Sequence, residues 1–348
     1  MSIDIAITVI EYEKIDKLYN NYLKLKFSGT YINFTIINTI RRTILELLPT
    51  YAYDLDDIHI SNTSTSIYNK DDLKGRLCSI PIFGIENDRT VLDKVLELEY
   101  ETTITIYDNH IEDINLIEEK LKEKRLEKSK NFIMNIDVKN TTNDILNVTT
   151  NHKNVTFMYK TEIINSPYES ELLLIKLKPG QEFKCEAISS LNIPLKYTSF
   201  MSTAVCAFEE IDKTTYILYI ESLKQIEEKE IIIRACMIIE IKLNELKYLI
   251  INKIKEIKDT DSEFLSSGTI TLEHENYTYG ELLSLLLQTN TNIKSAGIHF
   301  ETMFKKEIKI KYETINNISI IDIIEEIIKK GILIYKTIIY KLEKLNIK

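Results

Sequence analysis

Two stripes of apolar residues at helical spacing limit what this chain can fold into more than any other feature. The first runs Ile239, Leu243, Leu246, Ile250, Ile254 and Ile257; the second runs Ile321, Ile324, Ile328, Ile332, Tyr335, Ile339, Leu342 and Leu345. Steps of three and four residues put each set on one side of an α-helix, and about five turns or more of such a side must be covered. The economical arrangement is that the two helices share one interface, with Ile239, Leu243, Leu246 and Ile250 of the first against Ile324, Ile328, Tyr335 and Ile339 of the second.

Strand signals surround these helices. Ile3 to Ile10, Tyr31 to Phe34, Thr102 to Tyr107, Phe132 to Val138, Leu172 to Leu177, Val205 to Glu209, Thr215 to Glu221 and Ile231 to Cys236 read as strands, as do Thr269 to Leu272 and Glu307 to Tyr312. A Pro-broken strand is expected at Ile80-Pro81-Ile82, a charged solvated helix or mobile excursion over Ile111 to Lys130, and a helix over Gly280 to Gln288. Lys258 to Ser267 is a polar break. The expected fold class is therefore α+β, in two units that meet through their helices.

A further helix begins near Thr35 and stops before Pro49, with Ile37, Ile40, Ile44 and Leu48 on one face and Asn38, Arg41 and Arg42 on another flank. Only six of the 44 basic residues are Arg, so adjacent arginines suggest a need for planar, multidentate donors that Lys cannot supply. The ordinary alternative is a pair of surface cations bonding to a nearby carboxylate such as Glu46.

Other function classes lack their residues. Eight glycines include no GxxxxGK[ST] or GxGxxG arrangement, and the five histidines never fall in ligand spacing. His274 between Glu273 and Glu275 is read as a surface residue, so no catalytic residue is assigned. The four cysteines Cys78, Cys185, Cys206 and Cys236 stand far apart and read as small packing residues, so no metal site and no cofactor are expected. With 53 acidic residues against 44 basic and a net charge of -9, a broad nucleic-acid face is disfavoured and protein partners are favoured. No run approaches the roughly 20 apolar residues of a membrane span, and the first residues lack a basic-then-apolar export signal. The chain is expected to be intracellular, not secreted.

Several segments carry a resemblance. Asn38-Thr39-Ile40-Arg41-Arg42, then Pro49 to Asp54, Asn62-Thr63-Ser64, Arg76-Leu77 and Ile80-Pro81-Ile82 recur in the order found in the bacterial α, archaeal D and eukaryotic third-subunit family of multisubunit DNA-dependent RNA polymerases. Leu177 to Phe183 and Thr215 to Arg234 resemble that family's return strands and closing hairpin. Leu272 to Thr314 is similar to the archaeal L and eukaryotic eleventh-subunit family, with Glu275, Thr278 and Gly280 on its Glu-x-His-Thr-Leu-Gly motif; Tyr277 and Tyr279 replace the usual His and Leu. The cysteine cluster common in the first family's inserted domain is missing.

The resemblance implies a fused pair of dimerising subunits, a combination associated with large DNA viruses. It places an α-like dimerisation domain at residues 1–50 plus 200–258, an inserted mixed α/β domain at 51–199, a linker at 259–268 and a second, smaller α+β dimerisation domain at 269–348. It implies a non-catalytic assembly platform for transcription whose partners are the largest and second-largest polymerase subunits and small accessory subunits, with Asn38, Arg41 and Arg42 facing the second-largest. It implies no sequence-specific nucleic-acid contact, no membrane, and a place in the host cytoplasm and virion. The rival expectation is a DNA polymerase processivity clamp, which would need a basic helix face such as Lys242, Lys247, Lys253 and Lys255 could form; those lysines otherwise read as a solvated face.

Overall fold

Four strands drawn from distant parts of the sequence make the first sheet. β1 (Ala6–Glu13) pairs with β2 (Asn21–Ser28), and β2 pairs with the hairpin of β10 (Thr203–Asp212) and β11 (Thr215–Ser222), giving the antiparallel order β1-β2-β11-β10. This computed structural model describes residues 3–14, 20–64, 69–83, 88–107, 132–258, 267–273, 275–299, 307–315 and 319–347. Alternation in β2 points Leu23, Leu25 and Phe27 inward, and register sets Leu25 opposite Leu218 and Phe27 opposite Tyr216. Helix α1 (Phe34–Glu46) crosses the inner face, burying Ile36, Ile37, Ile40 and Ile44.

The second core is smaller. β3 (Thr50–Thr63), β4 (Phe132–Lys139), β6 (Val155–Tyr159), β7 (Glu162–Ile164) and β9 (Glu182–Asn192) form a sheet of order β3-β9-β4-β6-β7, beside a pair made by β5 (Leu146–Thr149) and β8 (Leu173–Leu177). Phe132 and Phe157 meet at 6.0 Å between ring centres, and Leu73 and Leu77 of helix α2 (Lys70–Cys78) close the same core. Beyond α2 the chain returns to the first core: a short 3₁₀ turn (Arg89–Lys94) and helix α3 (Val95–Tyr107) bury Val91, Leu92, Val95 and Leu98 there.

Helix α4 (Glu228–Lys258) leads on to a third antiparallel sheet of order β12-β14-β13, built from β12 (Ser267–Glu273), β13 (Ile293–His299) and β14 (Glu307–Thr314). Helix α5 (Tyr277–Gln288) lies on this sheet so closely that a Cβ on Gly280 would stand 2.8 Å from the Ile308 side chain. Helix α6 (Ile320–Glu343) completes the chain, and its buried side continues the first core. Mixed helices and antiparallel sheets make the molecule α+β.

Four expected strands are corrected. Ile231 to Cys236 lies in α4: Ile231, Ile232, Ile233, Ala235 and Cys236 are all at most 1% exposed, so this part of the helix is buried all round and its β-branched residues do not decide the local structure. Thr102 to Tyr107 is the end of α3, whose register is set by Val91, Val95, Leu98 and Thr102 at helical steps. Tyr31 to Phe34 is the approach to α1, where the Asn33 side chain accepts from the Ile36 amide at 3.1 Å and caps the helix. Ile80 to Ile82 joins no sheet. All of the charged stretch Ile111 to Lys130, and residues 259–266 of the polar break Lys258 to Ser267, lie outside the described residues.

Candidate functional site

Two places bring together the residues the sequence singled out. On the outer flank of α1, the Asn38 Oδ1 accepts from Arg41 Nε at 3.1 Å and Nη2 at 2.9 Å, so the amide fixes the guanidinium fork one turn away. That guanidinium stands 6.0 Å from the centre of the Phe208 ring on β10, and Phe208 meets Phe34 edge-on at 5.6 Å. Phe34 is 51% exposed. The flank thus joins a held cation to an aromatic surface.

Arg42 departs from this arrangement. It pairs with Glu46 four residues on, and the Glu46 carboxylate is also within 3.5 Å of the Asn276 amide. Asn276 caps α5 by accepting from the Thr278 and Tyr279 amides. The two arginines therefore serve different neighbours: Arg41 stays with the outer flank, and Arg42 is tied toward the C-terminal unit.

The second place is the seam between the long helices. Ile239, Leu243, Leu246 and Ile250 of α4 and Ile324, Ile328 and Tyr335 of α6 are at most 1% exposed in one continuous core, and Ile339 is half-buried against it. The buried side of α6 also takes in Ile320, Ile323, Ile327, Ile334 and Ile338, which leaves Ile321 and Ile332 on its margins. At Gly331 the helices pack without room for a side chain: an added Cβ would meet Leu286 of α5 at 2.8 Å and Leu243 of α4 at 3.3 Å.

Beside the seam lies a charged junction. Lys242 is 2% exposed, and its Nζ donates to Glu275 Oε1 at 2.7 Å and Glu245 Oε2 at 2.9 Å and lies 3.0 Å from Glu99 Oε2. Burial alone would pull the ammonium down, but Glu275, Glu99 and Glu245 outweigh it and hold Lys242 well above its usual range. Burial pushes the Glu275 carboxyl up against the pull of Lys242. Nearby, the Tyr279 and Thr43 hydroxyls meet at 3.0 Å, joining α5 to α1.

The junction corrects the reading of Lys242 as part of a solvated face. The signal was present, since Lys242 sits three residues after Ile239 and four before Leu246, on the apolar stripe itself. Lys247 pairs with Glu325 at 3.6 Å and Lys253 with Glu273 at 3.2 Å. Glu275 is 7% exposed, and His274, read as a surface residue, lies outside the described residues. Cys78, Cys185, Cys206 and Cys236 are all buried and unbridged. Among the described residues, no group of three or more His, Cys, Asp or Glu is arranged to hold a metal ion, and no helix is long and apolar enough to cross a membrane.

No model of a known protein family matches the sequence. Over 335 residues, covering 94% of this chain and 92% of the relative, the sequence is 23% identical to a protein of Acanthamoeba polyphaga mimivirus provisionally named DNA directed RNA polymerase subunit R470.

Proposed function

We propose that this chain is a subunit of a DNA-directed RNA polymerase and serves as its non-catalytic assembly platform. The observation that carries the reading is the likeness, along nearly the whole chain, to a protein named as such a subunit. In the finer form of the proposal, residues 1–50 plus 200–258 are the third-subunit-like unit, 51–199 the inserted domain, 259–268 the linker and 269–348 the eleventh-subunit-like unit. The continuous apolar seam between α4 and α6 supports an intramolecular dimer, and a linker of about ten residues would hold the halves at an effective concentration on the order of millimolar.

The proposed docking face for the second-largest subunit is the α1 flank, where Asn38 holds the Arg41 fork above Phe208; Arg42 contributes at its edge. The largest subunit and small accessory subunits follow, and the proposed location is the host cytoplasm and the virion. Where their side chains are described, the lysines named for a clamp face do not favour it: Lys242 is buried and Lys247 and Lys253 are each paired with a carboxylate, while the Lys255 side chain lies outside the described residues.

The test is recovery of the large subunits on the tagged full-length chain. Arg41→Glu/Arg42→Glu leaves the stripe through Ile37, Ile40 and Ile44 untouched, and the lost Arg42–Glu46 pair, with Arg42 41% exposed, contributes only about 0.3–0.5 kcal/mol. The doubly substituted chain is expected to keep its melting temperature within a few degrees and to lose the large subunits, with Arg41→Glu alone causing most of the loss. Normal recovery and normal transcription with the double variant would reject the docking face.

A further inference from the structure

The excursion that leaves the smaller core after α2 does not simply return to it. It lies along α4, held at two points. At its start, Arg89 grips Glu230 of α4 with both arms, Nε at 2.8 Å and Nη2 at 2.9 Å, and reaches Glu343 at the end of α6 at 3.3 Å. Further on, Glu99 meets Lys242 of α4, the same ammonium that holds Glu275 ahead of α5. Val91, Leu92, Val95 and Leu98 fill the interval with buried apolar contact.

The spacing of the two points is matched. From Glu230 to Lys242 is twelve residues of α-helix, about 18 Å. Arg89 to Glu99 is ten residues, half in a 3₁₀ turn and half in an α-helix, which also comes to about 18 Å. At each point one cation joins this segment to both sides of the seam: Arg89 touches α4 and α6, and Lys242 joins Glu99 to the C-terminal unit.

We propose that residues 88–107 are a strap that fastens the C-terminal unit, β12 to α6, onto α4, so that the seating of that unit depends on an element inserted between α2 and β4 as well as on the helix seam. This does not depend on the polymerase reading. The strap is part of the chain between α2 and β4 of the smaller core and is fastened to α4 through Arg89 and Glu99.

Hydrogen exchange on the full chain tests it, read in α5 at residues 277–288, which neither substituted residue occupies. Glu99→Gln keeps the shape of the side chain and removes its charge; Arg89→Ala removes the other fastening at a half-exposed position where the core is not disturbed. Glu99→Gln, at the buried fastening, is expected to raise exchange in α5 about tenfold and Arg89→Ala, at the half-exposed one, about two- to fivefold, while β4 and β9 of the smaller core stay at the wild-type rate. If Glu99→Gln raises exchange everywhere, Arg89→Ala decides alone. Faster exchange confined to residues 88–107, with α5 unchanged in Arg89→Ala, would overturn the strap.

Discussion

Lys242 is a buried cation bonded to three carboxylates, Glu275 buried with it and Glu99 and Glu245 nearer the surface, and its removal would leave the three facing one another. Lys242→Met should therefore cost about 3–5 kcal/mol at pH 7. The pH dependence has a definite sign. The ammonium is held above its ordinary 10.5, so its contribution is present throughout the neutral range and is lost only as pH rises through that raised value. The Glu275 carboxyl is raised above its ordinary 4.5, so the folded state favours its protonated form, and the contribution is lost as pH climbs through the raised value. Without Lys242 the carboxylate effect dominates, and denaturant titrations should show the variant's deficit shrinking between pH 7 and pH 5. A deficit independent of pH would contradict the geometry. The thiols give a second residue-scale expectation. Burial pushes Cys185 and Cys206 up to about 12, and Cys78 and Cys236 are raised as well, so a thiol reagent at pH 8 should titrate all four only after unfolding. Rapid labelling of any one in the native protein would show that its site opens.

Among the elements, the α4–α6 seam joins two long helices through residues that are almost fully buried. Leu246→Ala or Ile328→Ala should each cost about 2–5 kcal/mol, measured by denaturant unfolding. Gly331→Val should cost about 1–3 kcal/mol by forcing Leu286 and Leu243 apart, even though helix propensity favours the change. Losses below about 0.5 kcal/mol at all three would mean the helices do not pack as described. Both long helices could be read from the sequence because their stripes repeat at 3.6 residues. What misled was local alternation: Thr102 to Tyr107 alternates at the period of a strand, but Val91, Val95 and Leu98 upstream have already fixed the helix. Ile231 to Ile233 look like a strand because a helix buried on every side shows no polar face to betray its period. β2 was overlooked although Leu23, Leu25 and Phe27 alternate cleanly with Tyr22, Lys24 and Lys26, since only one of its partners, β1, is near in sequence and the other, β11, comes from residues 215–222, which local reading does not supply. The charged junction was hidden for the same reason, as its carboxylates sit at residues 99, 245 and 275.

At the scale of the molecule, the larger core draws on residues from Ile5 to Leu342, so the N-terminal strands, the strap and the C-terminal unit share one apolar interior, while the smaller core stands beside it. The α1 flank lies outside that interior with a held guanidinium and an exposed phenyl ring, the surface on which the proposed platform role depends. Gly280 and Glu275, which carry part of the resemblance, mark close helix-on-sheet packing and the charged junction. The most direct test is reconstitution of the polymerase from its two largest subunits with and without this chain. The expected result is that the second-largest subunit binds this chain first, that the largest joins only that complex, and that transcription depends on both steps. Assembly of an active enzyme from the two large subunits without this chain would contradict the platform.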